Sequence, residues 1–244
     1  MTLIRTLLIP LWLLIVTPAS TASETANEQI KAAIKVASKP KKLLHSNAVI
    51  VFGNAGEAVV VSDNPRWVVK GQLFDMWSNV EVKSELQLTQ LEQKLPLDKI
   101  SVNTTDVFDF VVNPLKPQTV TVFIDPFHPD TPNTVSVLSR FATDYRLRFI
   151  LTPMTPENVK PFLTLNCAEL NTDSQALVTK LINKEFREYP TKCDQARAMN
   201  SYGLSGFLQI TQSPTLVAPN DELSVGMPNQ VMKWLATNSK QGEQ

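Results

Sequence analysis

Cysteine, histidine and glycine are scarce in this chain of 244 residues. It contains two cysteines, two histidines and seven glycines, against 17 prolines. Scarce glycine without a repeat excludes a collagen-like or low-complexity chain. An excess of charge of one sign is also lacking, since 23 basic residues balance 23 acidic ones, so net charge indicates no nucleic-acid partner. Beyond the N-terminal region, no stretch is apolar enough to span a bilayer.

The first 22 residues have the composition of a secretory signal peptide. Arg5 precedes an apolar stretch, residues 7–16, which only Pro10 interrupts, and Ser20-Thr21-Ala22 supplies small residues for cleavage. This stretch is too short for a membrane-spanning helix, which needs about 20 residues. We therefore expect residues 1–22 to be removed on export, and an uncleaved anchor is the alternative.

The next part of the chain, residues 23–82, reads as a small α+β unit. Apolar residues recur at helical spacing from Ile30 to Ala37. Three short strand-like runs follow, separated by turn residues: Ala48–Phe52, Ala58–Ser62 and Trp67–Val69. A unit of about 60 residues is small for an independent core and often needs a partner surface. Residues 83–113 follow as a connector, with an amphipathic helix over Glu85–Leu95 and an apolar run over Val107–Val112.

Residues 114–240 alternate between strand and helix patterns, which predicts an α/β fold. The expected strands are Thr119–Ile124, Arg148–Leu151, Phe207–Thr211 and Thr215–Ala218, with the last two flanking Pro214 in a hairpin-like end. The expected helices are Pro132–Tyr145, Phe162–Ala168, Ser174–Phe186, Asp194–Gly203 and Pro228–Ala236.

The turn after the strand Thr119–Ile124 stands where a thioredoxin-like oxidoreductase carries its redox Cys-x-x-Cys. Here the turn reads His128-Pro129-Asp130-Thr131, with no cysteine near it. The thiolate is the nucleophile of disulfide exchange, and neither an imidazole nor a hydroxyl forms a mixed disulfide. The sequence therefore predicts that exchange chemistry is missing from this position.

Two other chemistries are conceivable at the same turn. Asp125, His128 and Asp130 could in principle supply three metal ligands, but two prolines stiffen the turn and a strand-end aspartate usually points into the core. General acid–base catalysis by His128 with Asp130 lacks a nucleophile nearby. We therefore predict a solvent-exposed turn with no metal, no cofactor and no catalytic residue, followed by a helix that begins at Thr131 or Pro132.

Four features, in chain order, resemble the periplasmic disulfide isomerase family of DsbC and DsbG. Val69–Met76 resembles the end of the family's N-terminal dimerisation domain, and Val120–Asp125 resembles the strand before its redox turn. Cys167 and Cys193 fall where DsbC has a second, structural disulfide. Ser213-Pro214 falls where the family has Thr-Pro, with the proline in cis beside the active site.

The resemblance implies a periplasmic homodimer whose arms are thioredoxin-fold domains. It divides the chain into a dimerisation domain at residues 23–82, a linker helix and connector at 83–113, and a thioredoxin-like domain at 114–240. An apolar cleft between the arms would bind unfolded clients, and His128 and Thr131 stand in place of the two reactive cysteines. The expected substrate-binding residues are Phe127, Ser213 and Pro214.

An aromatic and methionine cluster lies at the end of the first unit. It includes Trp67, Phe74 and Met76. Core packing would explain such a cluster, but an apolar surface that faces a second subunit or a client would also explain it. Because the unit is small, we expect Trp67, Phe74 and Met76 at a dimer interface.

The even cysteine count of an exported chain favours a disulfide between Cys167 and Cys193. In the chain-entropy model, closing this loop stabilises the fold by roughly 3–4 kcal/mol. A redox switch at this pair is the alternative. The two cysteines lie far apart in sequence, however, unlike the close-spaced motif that lowers a thiol pKa.

Three functions follow from these residues. The first is a catalytically inactive dimer that holds unfolded or assembling exported proteins as a chaperone. The second is a dedicated assembly factor of a conjugative type IV secretion apparatus. The third is thiol:disulfide interchange through Cys167 and Cys193, which requires both as free thiols of low pKa. We favour the first, because the dimer module, linker and groove are retained while the redox thiols are absent.

Overall fold

The computed structural model describes residues 39–43, 48–62, 66–100, 106–169, 172–186 and 193–240. The expected signal peptide and the helical pattern at residues 30–37 lie outside these ranges. None of the helices in the described ranges is long and apolar enough to cross a membrane.

A four-stranded antiparallel sheet opens the described chain. Its strands are β1 (Lys41–Lys42), β2 (Val49–Phe52), β3 (Ala58–Val61) and β4 (Val68–Gly71), and they lie side by side in that order. The valine-rich runs favour strands because β-branched side chains suit a pleated surface. A short hairpin follows, formed by β5 (Leu73–Asp75) and β6 (Val80–Val82).

Helix α1 (Glu85–Glu92) closes this unit. It begins after Ser84, whose hydroxyl accepts the N–H of Gln87, a common N-cap bond. The helix buries Leu88 in a small core that it shares with the sheet and the hairpin. The unit therefore has a core of its own, although a small one.

A five-stranded mixed sheet forms the second part of the molecule. Its strands are β7 (Asp109–Val112), β8 (Thr119–Ile124), β9 (Arg146–Leu151), β10 (Thr215–Val217) and β11 (Leu223–Val225), in the spatial order β11-β10-β8-β9-β7. Strands β8 and β9 are parallel, and the other neighbours are antiparallel.

Five helices cover this sheet: α2 (Thr131–Phe141), α3 (Pro156–Glu169), α4 (Ser174–Asn183), α5 (Ala196–Phe207) and α6 (Val231–Thr237). The chain makes a strand–helix–strand half, β8-α2-β9, and a hairpin–helix half, β10-β11-α6. This is the arrangement of a thioredoxin-like α/β fold, as the sequence predicts.

The central strand β8 separates two apolar clusters. Val120, Val122 and Ile124 face the larger cluster, and Phe123 faces the smaller one. Alternate residues of a strand point to opposite faces of the sheet. Because both faces are covered, four of the six residues are apolar, and the other two are β-branched threonines, which also favour a strand. This composition is why the bounds of the strand could be predicted to the residue.

The connector after α1 joins the edge of the five-stranded sheet. The N–H of Leu95 donates to the carbonyl of Asp221 at 2.8 Å, and the N–H of Leu223 donates to the carbonyl of Gln93 at 2.8 Å. Residues 93–95 thereby add a short piece of strand beside β11. Burial, with Asp98 nearby, raises the pKa of Asp221 at this junction.

The prediction of a strand at Phe207–Thr211 is wrong. Helix α5 continues to Phe207 and ends in a turn in which Gln209 has φ 56° and the N–H of Ile210 donates to the carbonyl of Ser205 at 2.8 Å. This is a helix C-terminal motif with a left-handed residue. Its apolar residues fill the smaller core cluster rather than a strand. The hairpin is formed instead by β10 and β11.

Candidate functional site

The candidate site is the turn between β8 and α2, together with the loop that precedes β10. Strand β10 pairs with β8 so that Thr215 lies opposite Phe123. This register places the Ser213-Pro214 loop beside the start of the turn. The Ser213 hydroxyl accepts the N–H of Asp125 at 2.9 Å, and the Ser213–Pro214 peptide bond is cis, as the resemblance implies.

Asp125 is the centre of the site. Its side chain is buried, with 1% of the residue exposed. The carboxylate accepts three N–H bonds: from the backbone of Phe127 at 2.9 Å, from the backbone of Met154 at 2.8 Å and from the amide of Asn158 at 2.8 Å. The prediction that this strand-end aspartate points inward is confirmed. Because these donors occupy both oxygens, the carboxylate holds the turn, the loop after β9 and helix α3 together.

Thr131 lies where a second redox cysteine would be expected. It is buried, and its hydroxyl donates to the carbonyl of Asp125 at 2.6 Å. Its N–H donates to the carbonyl of His128 at 3.2 Å, and α2 begins at this residue. The threonine therefore stabilises the turn from inside, and this part of the turn is not solvent-exposed.

His128 lies on the outer side of the turn. Its N–H donates to the carbonyl of Asp125 at 3.0 Å, and its Nδ1 accepts the N–H of Asp130 at 3.2 Å. An imidazole nitrogen that accepts a hydrogen bond carries no proton, so this geometry assigns the proton of the neutral ring to Nε2.

Phe127 has a mixed environment. Its ring is half-buried against the larger core cluster and meets the ring of Phe186 edge-on, with the ring centroids 5.4 Å apart. Pro214 is buried, and its carbonyl accepts the N–H of Gly226 at 2.8 Å. Client contact by Phe127, Ser213 and Pro214 stays a prediction, and the structure gives all three a packing role as well.

Cys167 and Cys193 form a disulfide, with their Cα atoms 5.5 Å apart. It joins the end of α3 to the segment that leads into α5. Each cysteine is half-buried. The predicted bond is therefore present, and it lies on elements other than the redox turn.

The predicted interface residues are on the surface of the first unit. Trp67 is 63% exposed, Phe74 53% and Met76 82%, and Val69 on β4 is 68% exposed. The guanidinium of Arg66 lies 5.1 Å from the centroid of the Trp67 ring. We call these four exposed apolar residues the apolar face, and one of them, Phe74, also lines the groove described next.

An apolar groove of about 640 Å³ lies between the first unit and the five-stranded sheet. Its lining includes Leu73, Leu88, Leu91, Phe207, Ile210 and Val225. Gln212 and Thr215, which flank the Ser213-Pro214 loop, also line it. The walls of this groove come from segments that are far apart in the chain, so local sequence patterns do not predict its lining.

Solved structures of two other proteins are similar to parts of this chain. A disulfide interchange protein from Neisseria gonorrhoeae is 20% identical over 57% of this chain and 100% of its own, with a TM-score of 0.46. DsbG from Helicobacter pylori is 13% identical over 78% of this chain and 97% of its own, with a TM-score of 0.36. No protein-family model and no curated protein sequence matches the chain. We assign the fold from the strand order and connections described above.

Replacing Asp125 by alanine should destabilise the fold by about 3–5 kcal/mol, because three donors lose their buried, charged acceptor. Asp125→Asn keeps one acceptor oxygen and should lose less. Urea unfolding followed by circular dichroism measures both. Asp130→Ala in the same turn is the control, since the Asp130 side chain is 71% exposed, and its change should stay within about 0.5 kcal/mol. Equal effects at the two positions would contradict the role of Asp125.

Proposed function

We propose that this protein is an exported, DsbC-like binding protein that holds unfolded or assembling exported proteins without thiol–disulfide exchange. The observation that carries the proposal is the burial and hydrogen bonding of the Thr131 side chain. Its buried hydroxyl donates to the carbonyl of Asp125 at 2.6 Å. The turn thus keeps its shape through hydrogen bonds, with no thiol in it.

The disulfide supports a role outside exchange chemistry. Cys167 and Cys193 are paired, and a thiolate must be free to attack a client disulfide. We assign this pair a structural role that stabilises the packing of α3 against the start of α5. Interchange through these two cysteines would require the bond to open first.

Binding in place of catalysis needs an accessible apolar surface. The groove of about 640 Å³ supplies one, and its lining is largely aliphatic and aromatic. Ligand sites in proteins are typically concave and mostly apolar. We propose that clients bind in this groove and beside the adjoining Ser213-Pro214 loop, in the periplasm.

The apolar face supports a homodimer. Single exposed apolar residues are ordinary, but a group of them marks an interaction surface. Strand β4 pairs with β3 on one side, and no described strand pairs with its other edge. Such an edge is a template for another strand. We propose that Trp67, Val69, Phe74 and Met76 pack against their counterparts in a second copy.

The protein without its signal peptide should suppress aggregation of a denatured client that contains no cysteine, because binding requires no disulfide chemistry. Light scattering during dilution from denaturant measures this, and suppression should approach completion near one dimer per client. A natively folded sample of the same client should not bind. Absence of suppression would contradict the chaperone function and would favour a dedicated partner in a secretion apparatus.

Replacing Met76 by glutamate should weaken dimerisation by about tenfold or more, because a charge would be buried in an apolar contact. Sedimentation equilibrium should give twice the chain mass for the wild type and a lower mass for Met76→Glu. Leu115→Glu is the matched control, since Leu115 is 96% exposed in the other half of the molecule. A dimer that survives Met76→Glu, or a wild-type monomer, would contradict the proposed interface.

A further inference from the structure

Strand β11 has an outer edge that the connector covers only in part. On this edge the N–H of Leu223 donates to Gln93, and the carbonyl of Asp221 accepts from Leu95, both at 2.8 Å. In an antiparallel pair, alternate residues direct their N–H and C=O groups to the same side. Val225 follows Leu223 by two positions, so its N–H and C=O point to this outer edge as well.

No described segment pairs with the backbone of Val225 at the outer edge of β11. The connector turns away there, because the residues that would continue it belong to helix α1, which ends at Glu92. On the inner side, Val225 faces Thr215 of β10, while the hydrogen bonds to the strand and loop on that side are made by its neighbours, such as Gly226 to Pro214. Within the described residues, the outer N–H and C=O of Val225 therefore have no protein partner.

The unpaired edge opens into the apolar groove. Val225 is 56% exposed and lines the groove with Leu91, Phe207 and Ile210. An extended backbone is the form of polypeptide that can bond to a strand edge, because the backbone groups of a helix are already paired within it. A strand placed here would direct alternate side chains into the groove and the others to solvent.

We infer that the groove binds an extended segment of an unfolded polypeptide, which adds a strand to β11 at Val225 and inserts alternate uncharged aliphatic side chains between α1 and α5. The inference rests on the proposed function and locates the bound segment. It assigns recognition to backbone pairing at β11. The turn at His128 contributes no direct contact to this strand.

The first test is hydrogen exchange of the wild-type protein with a blocked peptide in which threonine alternates with valine or leucine. The free Val225 amide should exchange quickly, and saturation with the peptide should slow it by about tenfold or more. A peptide that binds while the exchange of Val225 stays unchanged would overturn the inference.

The second test removes the bonding group. Val225→Pro deletes the outer N–H without deleting a ladder bond to β10, and proline is tolerated at such strand edges. It should weaken peptide binding by about tenfold, whereas Val225→Thr, which keeps the N–H, should change affinity by less than about threefold. Equal losses in the two variants would overturn backbone pairing.

A third measurement does not depend on how Val225→Pro folds. Two peptides of the same sequence carry N-methyl groups on alternate amides, in one case on the edge-facing set and in the other on the solvent-facing set. Only the peptide that is methylated on the solvent-facing set should bind to the wild type, because its edge-facing amides keep their N–H groups. Equal binding of both peptides would overturn the inference. Self-association of the wild type that is lost in Val225→Pro would also overturn it, because the occupant of the groove would then be a second copy.

Aggregation assays distinguish failure of the proposed binding site at β11 from failure of the proposed chaperone function. If the wild type suppresses client aggregation and Val225→Pro suppresses it equally well, the location is wrong and the chaperone function stands. If the wild type suppresses no aggregation, the proposed function fails irrespective of the groove.

Discussion

The buried carboxylate of Asp125 is the contact on which the candidate site depends. It ends the central strand β8 and receives N–H groups from Phe127, Met154 and Asn158, while its own N–H donates to Ser213. These residues belong to the turn, the loop after β9, helix α3 and the loop before β10. A buried acceptor with several donors is stable only when all of them are in place. The side chain of Asp125 therefore fixes three segments relative to the sheet, and its backbone N–H fixes the fourth.

The shape of the turn is thereby independent of cysteine chemistry. The hydroxyl of Thr131 and the N–H of His128 both donate to the carbonyl of Asp125, and helix α2 begins directly after them. Thiol-free and thiol-bearing turns can share such a framework, because backbone and carboxylate groups make its bonds. The proposed binding surfaces are the apolar groove, which adjoins the Ser213-Pro214 loop, and the apolar face.

The parts of this molecule that the sequence predicts are those that local pattern determines. Strand β8 is predictable because it consists only of apolar and β-branched residues, which suit a strand buried on both faces, and the inward Asp125 follows from its place at the strand end. Strand β11 was missed because Leu223–Val225 is three residues long and lies among polar residues. The strand prediction at Phe207–Thr211 was wrong because a turn that ends a helix can have the same apolar pattern as a short strand. Met154, Asn158 and Ser213 lie 29 or more residues from Asp125 in the chain, and the walls of the groove also come from distant segments. A single sequence does not bring such segments together.

The proposed function requires that the turn between β8 and α2 has the geometry of a redox turn and carries out no disulfide exchange. The most direct measurement compares disulfide reductase activity of the wild type with that of the double variant His128→Cys, Thr131→Cys, using insulin as the substrate. The account predicts no activity for the wild type, and a closed disulfide with measurable activity for the double variant. Reductase activity in the wild type would contradict the absence of exchange chemistry, and two cysteines that fail to form a disulfide would contradict the retained geometry.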